Sequence, residues 1–206
     1  MKIKRFPVGD LLSNSYVVYD ENSKKAFIVD AGYESELMEK FIEKNELDVI
    51  YILLTHGHFD HILACEYYRD KYKCEIVLSE TDAKQLLPLN LGFQKEVGDL
   101  DVNSYTLIND GDVISVGDMK VEVIATPGHT SGGVCFLVGD SLFTGDTLFN
   151  MSVGRTDYYS GSFDEISKSI KKLYNLHEEI KIHPGHGFTS KIGYEKANNP
   201  FVRGDS

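Results

Sequence analysis

The sequence Thr-His-Gly-His-Phe-Asp-His, at residues 55–61, decides how this chain folds and what it holds. Three histidines and one aspartate directly follow the apolar run at residues 49–54, which predicts a short buried strand. His56 and His58 are two positions apart, so an extended backbone points both rings to the same side. Imidazole nitrogens and carboxylate oxygens are ligands that suit Zn²⁺ and its first-row neighbours. Solvated loops draw on serine, asparagine, lysine and glycine instead, so the stretch predicts a metal site.

The composition of the chain is that of an ordinary globular protein. Its 206 residues are 42% hydrophobic and 26% charged, which is enough for one domain and short for two. The formal net charge of −11 argues against nucleic acid or an anionic membrane as a partner, since both need a basic face. The basic N-terminus has no apolar segment behind it, as a secretory signal would. Three cysteines without a C-x-x-C pair favour a reducing, cytoplasmic setting without disulfides.

Hydrophobic periodicity and turn residues predict alternating strands and helices along the chain. Strands are predicted at residues 3–7, 15–19, 25–29, 49–54, 75–79, 104–108, 112–116, 120–125, 133–138, 141–144 and 179–182. Helices are predicted at residues 34–45, 59–70, 80–87 and 163–176. Residues 88–102, rich in Gly, Asn and Pro, predict a loop that could form a lid.

The predicted strands end in the same kind of polar break at four places. Beside residues 55–61, these are Thr-Pro-Gly-His-Thr at 126–130, Gly-Asp-Thr at 145–147 and His-Pro-Gly-His-Gly at 183–187. Six of the seven histidines lie in these breaks. Strand ends along one rim of a sheet are where rigid scaffolds display functional loops. A fifth strand end carries Asp30, which predicts either a turn or a carboxylate that orients a metal ligand.

The order His-x-His-x-Asp-His, Pro-Gly-His-Thr, Thr-Gly-Asp-Thr and Pro-Gly-His-Gly resembles the metallo-β-lactamase fold superfamily over nearly the whole chain. Within it, the stretches at residues 145–149, 154–157 and 199–201 resemble the small bacterial hydroxyacylglutathione hydrolases, which are glyoxalase II-like. The resemblance implies an α/β (α+β) fold, a four-layer αββα sandwich with the metal site at one sheet edge. It also implies a single domain over residues 1–206, without the separate C-terminal helical domain of full-length glyoxalase II.

The resemblance implies two divalent metal ions per chain, with Zn²⁺ the expected occupant and Fe or Mn as alternatives. One ion would be held by His56, His58 and His129, a second by Asp60, His61 and His186, and Asp146 would bridge them. Asp60 and Asp146 are thereby also the candidate catalytic residues. His183 competes with His186 for the last position. His186 is preferred, because it follows a Pro-Gly turn as His129 does.

The implied activity is hydrolysis of a thioester such as S-2-hydroxyacylglutathione, by attack of a metal-bridging hydroxide. An alternative is a persulfide dioxygenase-like oxidoreductase, which would hold a single iron at His56, His129 and Asp146. A nuclease of the same superfamily is disfavoured by the negative charge, and a non-catalytic metal-binding protein by the complete ligand set.

Candidate substrate contacts lie in the loop at residues 154–160. Arg155 could hold a carboxylate bidentately, with Tyr158 beside it, but an ion pair with Asp157 or Asp146 is an equally open interpretation. The expected partner is a small-molecule thioester, with no nucleic acid and no membrane. The chain could be a monomer or a homodimer.

Overall fold

The computed structural model describes residues 1–85 and 104–204, so the predicted loop at residues 88–102 lies outside the described residues. Within the described part of the chain, no helix is long and apolar enough to cross a membrane. The three cysteines are unpaired and buried.

The first of two six-stranded sheets begins as a meander and continues with parallel strands. Its strands, in spatial order, are β1 (Lys2–Val8), β2 (Ser13–Tyr19), β3 (Lys25–Val29), β4 (Asp48–Leu53), β5 (Glu75–Ser79) and β6 (Thr106–Ile108). The pairs β1–β2 and β2–β3 are antiparallel, and β3 to β6 run parallel. The crossovers carry helices α1 (Glu36–Lys44), α2 (Phe59–Ile62), α3 (Cys65–Tyr72) and α4 (Glu80–Gln85). Parallel pairing brings the carboxyl ends of these strands to one edge.

The second sheet is mostly antiparallel, with one parallel pair. Its strands are β7 (Val113–Val116), β8 (Met119–Ala125), β9 (Val134–Val138), β10 (Ser141–Gly145), β13 (Lys181–Pro184) and β14 (Ser190–Lys191). Their spatial order is β14-β13-β10-β9-β8-β7, and β10 runs parallel to β13. Two-residue strands β11 (Leu148–Phe149) and β12 (Ser152–Val153) form a separate ribbon. Helices α5 (Phe163–Leu173) and α6 (Ile192–Asn198) complete the described elements.

Apolar side chains separate the elements into four layers. Neighbouring residues of one strand point to opposite faces, so Ile28 and Ile52 pack towards α1 and α3 while Phe27 and Leu53 pack towards the second sheet. The other face of the second sheet buries its side chains against α5, including Ile170. These three buried clusters confirm the predicted αββα sandwich.

The helix predicted at residues 59–70 is two helices. Helix α2 ends at Ile62 and α3 begins at Cys65. The break follows from a tertiary contact, because the Ala64 N–H donates to the Ala31 carbonyl (2.9 Å) behind β3. Asp60 and His61 therefore sit on a separate single turn of helix, which is tied directly to the first sheet.

The two sheets are joined at Thr55, directly after β4. The Val134 N–H donates to the Thr55 carbonyl (2.9 Å). Gly145, at the end of β10, has φ +46° and lies so close that a Cβ atom there would be 2.3 Å from Thr55 Oγ1. A side chain at residue 145 would therefore force the sheet ends apart.

The Gly145→Ala substitution is expected to destabilise the protein well beyond the cost of its backbone conformation. Gly111→Ala is the matched control, because Gly111 also has a positive φ (+85°) but a Cβ atom there would meet nothing within 4 Å. The control should lose about 1–2 kcal/mol of unfolding free energy from backbone strain. Gly145→Ala should lose roughly 2 kcal/mol more from overpacking against Thr55. Denaturant unfolding of both variants measures the difference, and equal losses would contradict this packing.

Candidate metal centre

Seven predicted ligands converge at one edge of the sandwich. They come from the loop after β4, from α2, and from the segments that follow β8, β10 and β13. The residues are His56, His58, Asp60, His61, His129, Asp146 and His186, and they form overlapping groups in which the ligand atoms lie within 4.8 Å of one another.

The first group consists of three histidines, and the hydrogen bonds behind two of them fix which ring nitrogen faces inward. The Thr55 hydroxyl donates to Asp30, so the same oxygen accepts from Nδ1 of His56 (3.1 Å) and leaves Nε2 of His56 for a metal. Nδ1 of His129 donates to the Arg155 carbonyl (2.7 Å), which leaves Nε2 of His129. That atom lies 2.9 Å from Nδ1 of His58, the third member. Such outer contacts orient metal-binding imidazoles.

The second group brings together Asp60, His61 and His186. Nε2 of His186 lies 3.2 Å from Oδ2 of Asp60 and 3.4 Å from Nε2 of His61. Asp60 and His61 are buried, with 7% and 0% of their surface exposed, whereas His186 is half-buried. The group therefore opens to solvent on the side of His186.

Asp146 lies between the two groups. Its Oδ2 is 3.5 Å from Nε2 of His129 in the first group and 3.6 Å from Nε2 of His186 in the second. Gly185 packs against it, since a Cβ atom at residue 185 would be 2.2 Å from Asp146 Oδ1. This is the place expected of a bridging carboxylate.

Asp30 lies behind His61 and orients it. Oδ2 of Asp30 accepts from Nδ1 of His61 (2.8 Å), and Oδ1 accepts from the Thr55 N–H (2.8 Å). Asp30 adopts φ +57°, a conformation that few residues other than glycine adopt. Of the two roles that the sequence leaves open for Asp30, the structure therefore supports the carboxylate that orients a metal ligand.

Burial keeps His56 and His58 of the first group uncharged. Desolvation, together with the neighbouring histidines, holds the pKa of His56 well below its ordinary value. Burial and the nearby His129 lower the pKa of His58 to about 4. Both rings are therefore neutral near pH 7, which is the form that binds a metal ion.

The second group is held by opposite charges. Burial lowers the pKa of His61, but the carboxylates of Asp146, Asp30 and Asp60 outweigh it and raise the value to about 10. Burial raises the pKa of Asp60, but the hydrogen bond from His186 and the charge on His61 outweigh it and lower the value to about 2. Asp60 is thus ionised, and the pKa of His61 and His186 is raised, so protons on these rings occupy the place where a cation would stabilise the carboxylate.

The residues fit two divalent ions. Nε2 of His56 and Oδ1 of Asp146 are buried and have no hydrogen-bond partner among residues 1–85 and 104–204. Buried polar atoms are nearly always paired, so two such atoms pointing into one cluster of ligands indicate a place for a cation. Nitrogen and carboxylate donors without sulfur suit Zn²⁺, Fe²⁺ and Mn²⁺.

His183 lies outside the centre. Its ring stacks on Phe143, with centroids 5.0 Å apart, and meets the ring of Tyr16 edge-on at 5.6 Å. Burial lowers its pKa to about 4. His186 lies in a ligand group and the half-buried His183 does not. The choice of His186 as a ligand stays a prediction.

Arg155 and Tyr158 lie at the mouth of the site and contact each other. The guanidinium of Arg155 donates to both carboxylate oxygens of Asp157 (2.8 and 2.7 Å) and to the Tyr158 hydroxyl (2.6 Å). The Tyr158 ring centroid lies 6.0 Å from that of His58. The ion pair with Asp157 is therefore present, and a contact of Arg155 with substrate stays a prediction.

Two buried polar residues that no sequence pattern marked also touch the ligand loops. Asp82 follows Ser79 at the start of α4, and its spacing is typical of a helix terminus rather than of a site. Asn14 is the second residue of β2 and directly precedes the strand predicted at residues 15–19. Their contacts join segments far apart in sequence, so only the three-dimensional structure reveals them.

Comparison with known proteins gives the family. The chain matches the model of the metallo-beta-lactamase superfamily over residues 8–186. It is 32% identical over 213 residues to the hydroxyacylglutathione hydrolase GloC of Haemophilus influenzae, with both chains fully covered. The probable metallo-hydrolase YqgX of Bacillus subtilis is similar to the same extent. The probable polyketide biosynthesis zinc-dependent hydrolase BaeB of Bacillus velezensis is 31% identical, over 86% of this chain and 74% of BaeB.

Solved structures with the same fold agree. The B3 metallo-beta-lactamase BLEG-1 superposes with a TM-score of 0.86 at 32% identity, covering 98% of this chain and 100% of BLEG-1. ETHE1 from Myxococcus xanthus gives a TM-score of 0.84 at 27% identity, covering 100% and 86%. The di-iron-bound form of TTHA1623 gives 0.84 at 29% identity, covering 97% and 100%.

His186→Ala and His183→Ala are expected to have opposite effects. The first removes a ligand, so chelator-treated protein should bind metal more weakly, with one of two sites lost, at little cost in melting temperature. The second leaves the ligands intact but removes a half-buried ring between Phe143 and Tyr16, which should lower the unfolding free energy by roughly 2 kcal/mol. Zinc titration and thermal melting of both variants measure this. Loss of metal from His183→Ala alone would contradict the assignment.

Proposed function

This chain belongs to the metallo-beta-lactamase superfamily and is a metallo-hydrolase, and we propose that it hydrolyses a thioester such as S-2-hydroxyacylglutathione. The observation that carries the proposal is the convergence of two ligand groups on Asp146. The similarity to GloC over the whole chain supports the thioester in particular.

The residues of the centre prepare it for hydrolysis. Divalent ions held by these residues would supply a bound water whose pKa is lowered to roughly 7 and would polarise a carbonyl oxygen. The Asp146 carboxylate faces both ligand groups, so it could contact an ion in either one. Asp60 and His186 hold the more open side, where a substrate can approach. Hydrogen bonds to the outer nitrogens of His61 and His129 hold these ligands in place, so little reorganisation is needed during the reaction.

A thioester suits this centre better than an amide does. Hydrolysis breaks the C–S bond and releases a thiol, which leaves readily as a thiolate because its pKa is near 8.5. Five of the seven histidines lie in the ligand groups, and His183 lies outside them with its ring stacked on Phe143. The centre is therefore poor in general acids, which an amine leaving group would need.

Charge supports an anionic small molecule as the substrate. The seven ligands include only two carboxylates, Asp60 and Asp146, so two divalent ions leave the centre positive within an acidic protein. The net charge of −11 speaks against nucleic acid or a membrane as a partner. Three unpaired cysteines support a cytoplasmic setting. Zn²⁺ is the proposed occupant, with Fe or Mn as alternatives.

A persulfide dioxygenase-like oxidoreductase is the second candidate. It would use one iron at His56, His129 and Asp146, and these residues do lie together here. The structural similarity to ETHE1 supports keeping the dioxygenase as a candidate function. The presence of the second group does not separate the two candidates, so metal content and activity must decide between them. The similarity to GloC over the whole chain favours the hydrolase.

Dependence on oxygen separates the two candidates. Purified protein loaded with Zn²⁺ is expected to release thiol from S-2-hydroxyacylglutathione equally fast in air and under argon, because hydrolysis consumes only water. Zinc would be inert in an oxygenase. Thiol release is followed with a colorimetric reagent, and oxygen uptake with glutathione persulfide as substrate is measured in parallel. Iron-dependent oxygen uptake without thioester hydrolysis would contradict the proposal.

Arg155→Ala tests the substrate contact. The Arg155–Asp157 pair is exposed, with 55% and 66% of the two side chains accessible, so it contributes little to stability and a substrate carboxylate can replace Asp157. We expect KM for an acidic thioester to rise several-fold, with kcat and the KM of a matched neutral thioester little changed. Asp157→Asn is the control, because it frees the guanidinium and should not raise KM for the acidic substrate. Equal losses on both substrates, with a lower melting temperature, would make Arg155 a brace for the loop.

A further inference from the structure

Asp82 holds together the two loops that carry the three-histidine group. Its side chain is fully buried, and its Oδ2 accepts hydrogen bonds from the Gly57 N–H (3.0 Å) and the Thr130 hydroxyl (2.9 Å). Its Oδ1 accepts from the Gly132 N–H (2.8 Å). A single carboxylate therefore ties the loop after β4 to the loop after β8.

These contacts lie immediately beside the ligands. Gly57 separates His56 from His58, and Thr130 directly follows His129. The packing is also tight, since a Cβ atom at residue 132 would be 2.4 Å from Asp82 Oδ1. Any shift of the carboxylate would consequently change the angles between the three rings.

Ser13 and Asn14, at the start of β2, hold the loops of the second group in the same manner. The Asn14 amide donates to the carbonyls of Pro184 (2.9 Å) and Gly187 (3.1 Å), and the Asn14 N–H donates to the Gly185 carbonyl (2.7 Å). Three carbonyls around His186 are thus fixed by one buried residue. The Ser13 hydroxyl donates to the carbonyl of Asp60 (2.7 Å), the carboxylate ligand of the same group.

The two sets of contacts fall on different residues of the centre. Among residues 1–85 and 104–204, the Asp82 carboxylate accepts hydrogen bonds from Gly57, Thr130 and Gly132, which flank His56, His58 and His129. The contacts of Ser13 and Asn14 fall on Asp60 and on the carbonyls around His186. The affinity of each metal position can therefore be set from its own side of the centre.

We propose that Asp82 is the positioning residue of the three-histidine metal site, and that Ser13 and Asn14 are the positioning residues of the site formed by Asp60, His61 and His186. Removal of either support should loosen one metal position and spare the other. The inference rests on the metal centre of the proposed function and is independent of its substrate.

A crossed metal titration tests this separation. In a His186→Ala background, the three-histidine site is the one left intact, and in a His58→Ala background the second site is left intact. Each background receives either Asp82→Asn, which replaces an acceptor by a donor, or Asn14→Ala. Zn²⁺ is titrated into chelator-treated protein in competition with a chromophoric chelator, so no substrate is needed.

The expected result is a reversal between the backgrounds. Asp82→Asn should weaken Zn²⁺ binding about 10-fold to 100-fold in the His186→Ala background, the range known for residues that orient metal ligands. It should change binding less than about 3-fold in the His58→Ala background. Asn14→Ala should show the opposite pattern. Equal weakening in both backgrounds, or no weakening in either, would overturn the proposal.

If Asp82→Asn or Asn14→Ala does not fold, smaller substitutions test the same proposal. Thr130→Val removes one hydrogen bond to Asp82 and retains the shape of the side chain, and Ser13→Ala removes one hydrogen bond to Asp60. They should give the same reversal with smaller changes, and a uniform effect would overturn the proposal. Ser35→Ala is the matched control, because the Ser35 hydroxyl accepts from the Met38 N–H at the start of α1 and neither residue belongs to the ligand groups. It should leave both affinities unchanged.

Discussion

Five imidazole rings and two carboxylates, four of these groups buried and three half-buried, gather at one edge of the sandwich and form the constraint on which the rest of the structure depends. Burying such groups is costly unless each has a partner. The structure supplies partners on the side of the rings that faces away from the cluster. Asp30 accepts from Nδ1 of His61, and the carbonyl of Arg155 accepts from Nδ1 of His129. With the outer nitrogens occupied, the inner nitrogens converge on one another, and only cations can satisfy all of them together.

The fold provides this arrangement by bringing the ends of both sheets to one place. Parallel pairing in the first sheet, and between β10 and β13 in the second, aligns the carboxyl ends that carry ligands. Thr55 joins the edges, because its carbonyl accepts from Val134 and its side chain packs against Gly145. The metal centre is therefore built at the junction of two rigid layers, and its geometry follows from packing rather than from flexible loops.

Local patterns in the sequence are enough to predict the layers and to select the seven candidate ligands that the structure brings together. Each ligand sits in a polar break at the end of an apolar run, and this signal needs only a few neighbouring residues, as at His56 and His58. Contacts between distant segments were not predictable in this way. The break before Cys65 depends on a hydrogen bond to Ala31, and the role of Asp82 depends on loops 25 and 48 residues away. Helix α6 is short and has no strong apolar period, so it too was missed.

The most direct measurement of the central claim is anomalous diffraction from crystals grown with Zn²⁺, recorded on both sides of the zinc absorption edge. A dinuclear centre predicts two anomalous peaks about 3.5–4 Å apart. One peak should lie among His56, His58 and His129 and the other among Asp60, His61 and His186, with Asp146 in contact with both. A single peak held by His56, His129 and Asp146, with the second group empty at saturating zinc, would contradict the account.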